Sequence, residues 1–173
     1  DVSCGLMGRS RGGSAKIAIV ASGFFGSISG SAVSNVASTG TITIPLMKDG
    51  GYRPTTAAAI EATASTGGQL MPPIMGAAAF LLAETLQVPY REVVVAALIP
   101  ALLYYLSLFF FADLEAGRRG IAPVDPDKIP PLGGTLRRGW YILVPFAVLV
   151  IALFEYNQPP EAAALVAFTA LAG

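Results

Sequence analysis

Two short segments combine hydroxyl and amide side chains with helix-breaking residues inside otherwise apolar sequence. The first is Gly26-Ser27-Ile28-Ser29-Gly30-Ser31-Ala32-Val33-Ser34-Asn35, continuing through Val36-Ala37-Ser38-Thr39-Gly40-Thr41. The second is Thr63-Ala64-Ser65-Thr66-Gly67-Gly68-Gln69, followed at once by Met71-Pro72-Pro73. Oxygens of Ser, Thr and Asn, with carbonyls freed at a helix break, are ligands for a hard cation such as Na⁺, while half-helix N-termini attract anions. Converging neutral oxygens suffice for Na⁺, so this chemistry requires no buried carboxylate. The same small polar residues also line ordinary helix contacts, where they allow close approach. Two such clusters, each beside a break, favour a site over packing alone. Gln69 either reaches a ligand or bonds a neighbouring helix.

The acidic residues read differently. A carboxylate in a membrane segment is functional by default. Glu61, however, lies eight residues from Arg53, ~12 Å along a helix, and Glu84 ends its segment beside Gln87. Both are expected at a membrane interface, which leaves no well-buried carboxylate as a proton carrier. Tyr104-Tyr105 and Phe109-Phe110-Phe111 are expected to pack on lipid or on other helices.

Composition sets the frame for these clusters. Of 173 residues, 54% are hydrophobic and 13% charged, about half the ~25% charged share of a soluble domain. Mean hydropathy is +0.64. Eleven basic residues balance eleven acidic ones, so no net field draws nucleic acid. Histidine is absent, which removes Ser-His and Cys-His nucleophile systems and imidazole metal sites. The lone Cys4 cannot form an internal disulfide, and no glycine loop ends in Gly-Lys-Ser/Thr to hold a nucleotide. No paired aspartates suggest a protease, so the chain is not expected to be an enzyme and no organic cofactor is expected. The composition is that of an all-α polytopic membrane protein. An apolar run begins near Ala162 and reaches Gly173, too short to span, and the chain is expected to be a piece of a longer protein.

The spans follow from charge-free runs. Val93–Ala112 is uncharged between Arg91-Glu92 and Asp113; its Pro100 is tolerable where neighbours satisfy the freed carbonyl. Gly139–Phe154 is a shorter run with Trp140, Tyr141 and Tyr156 at its ends, where interfacial aromatics belong. Thr55–Ala83 is interrupted by Gly67-Gly68 and Pro72-Pro73. The stretch Lys16–Met47 is uncharged after its first residue but polar at its centre. Split there, it gives two arms of ~16 residues, each ~24 Å long, short of a ~30 Å hydrocarbon core. A polar centre survives at membrane depth only inside protein or beside water, so a re-entrant hairpin is expected. Then Arg9, Arg11, Lys16, Lys48 and Arg53 share a face with Arg118, Arg119, Lys128, Arg137 and Arg138, against Arg91 alone opposite. The positive-inside rule puts the basic face in the cytoplasm. Two full crossings by Lys16–Met47 leave the same split; arm length and tip polarity favour the hairpin. The Gly- and Pro-rich stretch Ala116–Leu136 reads as a connector.

A longer series of motifs carries a resemblance. Gly12-Gly13-Ser14-Ala15-Lys16, the Gly26–Val36 segment, Gly40-Thr41-Ile42-Thr43-Ile44-Pro45-Leu46-Met47 and Gly51-Tyr52 occur in order. They are followed by Glu61-Ala62-Thr63-Ala64-Ser65-Thr66-Gly67-Gly68-Gln69-Leu70-Met71-Pro72-Pro73-Ile74-Met75-Gly76 and Ile99-Pro100-Ala101-Leu102-Leu103-Tyr104. Together these resemble the large permease subunit (DctM-like) of tripartite ATP-independent periplasmic (TRAP) transporters. The Ser-Thr-Gly-Gly-Gln-Leu-Met-Pro-Pro form resembles the TAXI type, whose small and large subunits are often fused. The resemblance implies one repeat of an elevator-type transporter: residues 1–112 as part of the first transport-domain repeat, with a re-entrant hairpin over 16–47, a broken helix over 54–84 and a transmembrane helix over 92–112. A cytoplasmic loop over 113–138 and a transmembrane helix plus the start of the next over 139–173 complete the expected division.

In function the resemblance implies a secondary importer of organic acids in a bacterial inner membrane, multi-pass, driven by a Na⁺ or H⁺ gradient. Its implied partners are a periplasmic substrate-binding protein, a small membrane subunit, membrane lipid and a small organic acid. By matching motif, the implied cation ligands are Ser34 and Asn35 from the hairpin tip with Ser65, Thr66 and Gly67 from the broken helix. Gly30, Ser31 and Gln69 are secondary candidates for backbone or substrate contacts. The alternatives are another Na⁺-coupled elevator-type anion symporter, or a membrane scaffold or channel subunit.

Overall fold

The computed structural model of the chain describes residues 11–121, with Ile151 alone beyond them. Their regular structure is helical throughout: α1 Gly13–Ser29, α2 Ala32–Asp49, α3 Pro54–Gly67, α4 Ala77–Leu86 and α5 Tyr90–Arg119. The expected span Gly139–Phe154, the segment after it and most of the expected connector lie outside the described residues.

Helices α1 and α2 form a hairpin whose turn is written in two residues. Gly30 takes the left-handed conformation (φ 61°) that ends α1, and its N–H donates to Gly26 O. That geometry favours a residue without a Cβ. Ser31 is extended and caps α2, its Oγ accepting from the Ser34 N–H at 3.3 Å, which satisfies one of the donors left free at a helix start. The arms have 17 and 18 residues, roughly 25–27 Å of helix.

Helix α3 starts on Pro54, whose fixed φ and missing N–H suit a first helical position, and stops at Gly67. The N–H groups of Gly68, Gln69, Leu70 and Met71 each donate to the carbonyl three residues earlier, so the chain tightens before it leaves the helix. Pro72 and Pro73 bring no N–H to continue the ladder. Helix α4 resumes at Ala77 and ends at Leu86, where Gln87 adopts a left-handed cap.

Helix α5 has 30 residues and a most-apolar window of mean hydropathy 2.3. Among the described residues it is the one helix long and apolar enough to cross a membrane. It does not stop at Ala112, where the first charges suggest an end, but runs through Asp113 and Glu115 to Arg119. The start of the expected 113–138 loop is therefore helical. Those charges are paired rather than disruptive: Lys16 Nζ donates to Asp113 Oδ1 at 2.6 Å, Arg11 to Asp113 Oδ2, and Arg119 to Glu115 one turn away. Gly120, at φ 63°, closes the helix.

Helices α1, α2 and α3 pack on one another, α5 lies across α1 and α3, and α4 packs on α5. The shared core is built from alanines, including Ala15, Ala18, Ala57, Ala64 and Ala112, around Ile19, Met47 and Ile60. Side chains this small bring helix backbones close, and the gain is van der Waals contact. The opposite face of α5 is apolar and exposed at Ile99, Leu102, Leu103, Phe110 and Leu114, and only 28% of its most apolar window is buried. A contiguous apolar face of this size is a contact surface for lipid or for further protein.

Candidate functional site

The hairpin turn is seated on the break between α3 and α4. At the crossing of α1 with the break, a Cβ on Gly26 would lie 2.5 Å from Gly68 Cα and 2.7 Å from Asn35 Nδ2. Only two glycines allow backbones this close. One turn further on, the Ile74 N–H donates to Ser27 O at 3.3 Å, and a Cβ on Gly30 would lie 2.2 Å from Met75 O. The ends of α1 and α3 and the starts of α2 and α4 therefore meet in one place.

Helix α5 holds the break from its other side. Tyr104 donates its hydroxyl to Thr63 O and Tyr105 to Ala64 O, each at 2.8 Å. Ala64 O is among the last four carbonyls of α3, which a helix end leaves short of donors, and Thr63 O lies directly before them. Tyr90 donates to Ile74 O at 2.5 Å and stacks on Phe80. The tyrosine pair, expected to serve packing alone, thus also caps the broken helix.

Below the turn, polar side chains from three helices converge on Glu61, which is fully buried. Its Oε1 accepts from Ser22 Oγ of α1 at 2.8 Å, Thr39 Oγ1 of α2 at 2.5 Å and Ser65 Oγ of α3 at 3.1 Å. Its Oε2 accepts from Thr43 Oγ1 at 2.6 Å. Asn35, also fully buried, donates Nδ2 to Ser22 O at 2.8 Å. This fixes the amide so that Oδ1 faces Thr39 Oγ1 at 3.1 Å. Gly40 leaves room for the Glu61 stem, since a Cβ there would sit 3.3 Å from Glu61 Cγ. The donor set is oxygen throughout, which suits hard cations. Among the described residues no group of three His, Cys, Asp or Glu stands together.

This corrects one part of the expectation for Glu61: α1 and α2 cover it, so a well-buried carboxylate is present. Glu84 is exposed near the end of α4. Of the expected cation ligands, Asn35 and Ser65 are buried and joined through Thr39 and Glu61. Ser34 and Thr66 stand on exposed faces, and Thr66 Oγ1 donates to Ala62 O at 2.8 Å. Gly67 lies under α5, where a Cβ would come within 2.4 Å of Tyr104 Cε1; its carbonyl accepts from the Leu70 N–H. Gly30 touches the break, Ser31 caps α2, and exposed Gln69 accepts from the Gly76 N–H through its carbonyl. Gln69 also edges an apolar cavity of about 530 Å³ between α4 and α5, lined by Leu82, Val93 and Ala97 among others. Sequence reasoning missed Ser22 and Thr43, and it included Thr39 in the first polar segment without naming it as a ligand. The visible signal was their spacing: Asn35, Thr39 and Thr43 recur every fourth residue, as do Glu61 and Ser65, which places each set on one helix face.

A helical hairpin seated on a broken helix, with buried oxygens behind the contact, belongs to a class of membrane transport proteins built on discontinuous helices. The family model for "Tripartite ATP-independent periplasmic transporter, DctM component" matches residues 1–172, and the chain belongs to this family. It is a family of membrane-integral transporter components rather than of enzymes. An uncharacterized protein, y4mL, of Sinorhizobium fredii is 31% identical over 167 residues, covering 95% of this chain and 39% of that protein. The isethionate TRAP transporter permease protein DctMQ of Oleidesulfovibrio alaskensis is 30% identical over 168 residues, covering 96% of this chain and 26% of the permease. An uncharacterized protein, YgiK, of Salmonella typhimurium is 34% identical over 113 residues, 65% of this chain and 26% of its own length. The chain thus spans well under half the length of these relatives.

Proposed function

We propose that the chain is part of the permease of a secondary transporter that imports organic acids delivered by a periplasmic binding protein, with a Na⁺ or H⁺ gradient supplying the energy. The observation that carries this reading is the seating of the hairpin turn on the helix break in a chain of the DctM family. Helix N-termini at Ala32 and Ala77 open at that contact, and such termini favour negative groups. One relative is named for isethionate, a small organic anion, which supports cargo of that class. Its DctMQ name supports a small membrane subunit fused to the large one. The hairpin is re-entrant in this reading, because arms of 17 and 18 residues fall short of a ~30 Å core. The loops carrying most basic residues are cytoplasmic. The coupling ion is cargo, held between tip and break with Asn35 and Ser65 as its buried ligands and Ser34, Thr66 and Gly67 beside them. The Ser-Thr-Gly-Gly-Gln-Leu-Met-Pro-Pro motif supports the TAXI type.

The test is uptake of a radiolabelled organic acid into proteoliposomes containing the complete permease and its binding protein. An imposed Na⁺ gradient is compared with a pH gradient, in wild type and Ser65→Ala. Gradient-driven uptake that requires the binding protein and falls in Ser65→Ala supports the reading. Solute flux that ignores both gradient and binding protein identifies a pore instead.

A further inference from the structure

We propose that the apolar groove between α4 and α5 holds an acyl chain of one phospholipid, whose ethanolamine headgroup sits at Arg91 and Glu92 where α5 begins. The inference rests on the chain being membrane-integral, and not on transport, cargo or coupling ion.

The groove follows from small side chains that fail to meet. Met75, Ala79, Ala83, Val93 and Val94 make the contact between α4 and α5. Beside that contact stand Ala78, Ala96 and Ala97, and a space of about 530 Å³ remains, within the range of ligand sites. Apart from Glu92 and Gln69, the side chains around it are hydrocarbon. Water needs two to four polar partners to settle in a cavity, so this wall suits apolar matter instead. Leu70, Leu82 and Leu86 on its rim are exposed. The groove therefore opens on the surroundings of the bundle, which for a membrane-integral chain are lipid.

Its length matches one leaflet. Along α5 the lining runs from Glu92 to Pro100, roughly 12 Å of helix, against about 15 Å for half of a ~30 Å hydrocarbon core. Beyond Pro100 the helix closes on α3, where Tyr104 and Tyr105 bond its carbonyls. A spanning helix from elsewhere in the protein would seek contact along about 20 residues, through both leaflets. A groove confined to one leaflet fits a lipid chain.

The mouth selects the headgroup. Arg91 and Glu92 are exposed and border the charge-free run of α5, and Glu92 lines the groove. Neither belongs to an ion pair among the described residues. Phosphate and guanidinium form charge-assisted hydrogen bonds, as do an ammonium and a carboxylate. Ethanolamine supplies that ammonium to Glu92 while its phosphate meets Arg91. A glycerol headgroup brings no cation to Glu92, and choline brings one without an N–H.

The experiment places the complete permease in nanodiscs containing a phosphatidylethanolamine with a diazirine near the end of one acyl chain. After irradiation, peptide mass spectrometry locates the labelled residues. Wild type is expected to be labelled along the groove, well above the level at outward-facing Leu102. Unlabelled phosphatidylethanolamine should compete better than phosphatidylglycerol. Ala78→Leu and Ala96→Leu add bulk at exposed lining positions, and each should reduce groove labelling to the Leu102 level. Arg91→Ala should erase the headgroup preference, whereas Thr85→Ala, outside the lining, leaves both readouts unchanged. Labelling spread evenly over α5 identifies annular lipid and overturns the proposal. Groove residues protected from the probe identify another helix seated there and overturn it too, as does equal competition by the two lipids. Uptake into proteoliposomes separates this site from the transport reading. Groove labelling in a protein without gradient-driven uptake keeps the site and sinks the transporter. Even labelling in a protein that transports does the reverse.

Discussion

At Asn35, one side chain links both arms of the hairpin. Its amide donates to the Ser22 carbonyl across the α1–α2 contact, and its Oδ1 meets Thr39 on its own helix. Removing it breaks a buried polar network, where a lost partner costs about 1–3 kcal/mol. Asn35→Ala is expected to lower stability by that amount, read as a fall in melting temperature, and to abolish gradient-driven uptake. Thr43→Val tests the same network further from the turn. It removes the sole donor to Glu61 Oε2 among the described residues and should cost about 1–3 kcal/mol. Residue chemistry was partly legible in the sequence. Asn35 and Ser65 announced themselves as polar groups beside breaks, whereas the burial of Glu61 was not legible, because distance along one helix says nothing about what two other helices lay over it. Ser22 was hidden in an apolar arm, and only the fourfold spacing of Asn35, Thr39 and Thr43 pointed to a buried stripe.

The turn and the break depend on backbone contact more than on side chains. Gly26 and Gly68 touch at a distance that no Cβ survives. Gly26→Ala is expected to separate α1 from the break at a cost of about 1–3 kcal/mol. Hydrogen exchange should show it as faster exchange of the Ile74 amide, which bonds Ser27 O. Gly120→Ala is the contrasting case: it has φ 63° but nothing within 4 Å, so only left-handed strain of roughly 1–2 kcal/mol applies and exchange at Ile74 stays unchanged. The positions of the break and the turn were readable because Gly and Pro act on the backbone locally. The true end of α5 was not. Asp113 looked like a boundary, but it pairs with Lys16 and Arg11, about a hundred residues earlier, and the helix continues to Arg119.

For the molecule as a whole, polarity is arranged inside out. Alanines and hydroxyls occupy the interior, while Ile99, Leu102 and Phe110 face outward from α5. A charge placed on that face should be felt as in a bilayer: Leu102→Arg is expected to cost about 2.5–3.5 kcal/mol of insertion free energy, measurable in a membrane-integration assay. A soluble-type surface would tolerate it within ~0.5 kcal/mol. The class of protein was legible from composition, because charge depletion and absent histidine act on the whole chain at once. How the helices are stacked was not, since alanine-on-alanine contact has no periodic signature strong enough to name its partner.

The three tyrosines of α5 carry a consequence for motion. Tyr104 and Tyr105 grip the last turn of α3, and Tyr90 grips Ile74 on the approach to α4. One continuous helix is therefore fastened to the chain on both sides of the discontinuity, as a splint is strapped across a fracture. A break strapped this way is tied to its splint, and parting the two costs three hydrogen bonds. Rocking or sliding along faces that α5 does not bridge leaves these three bonds intact.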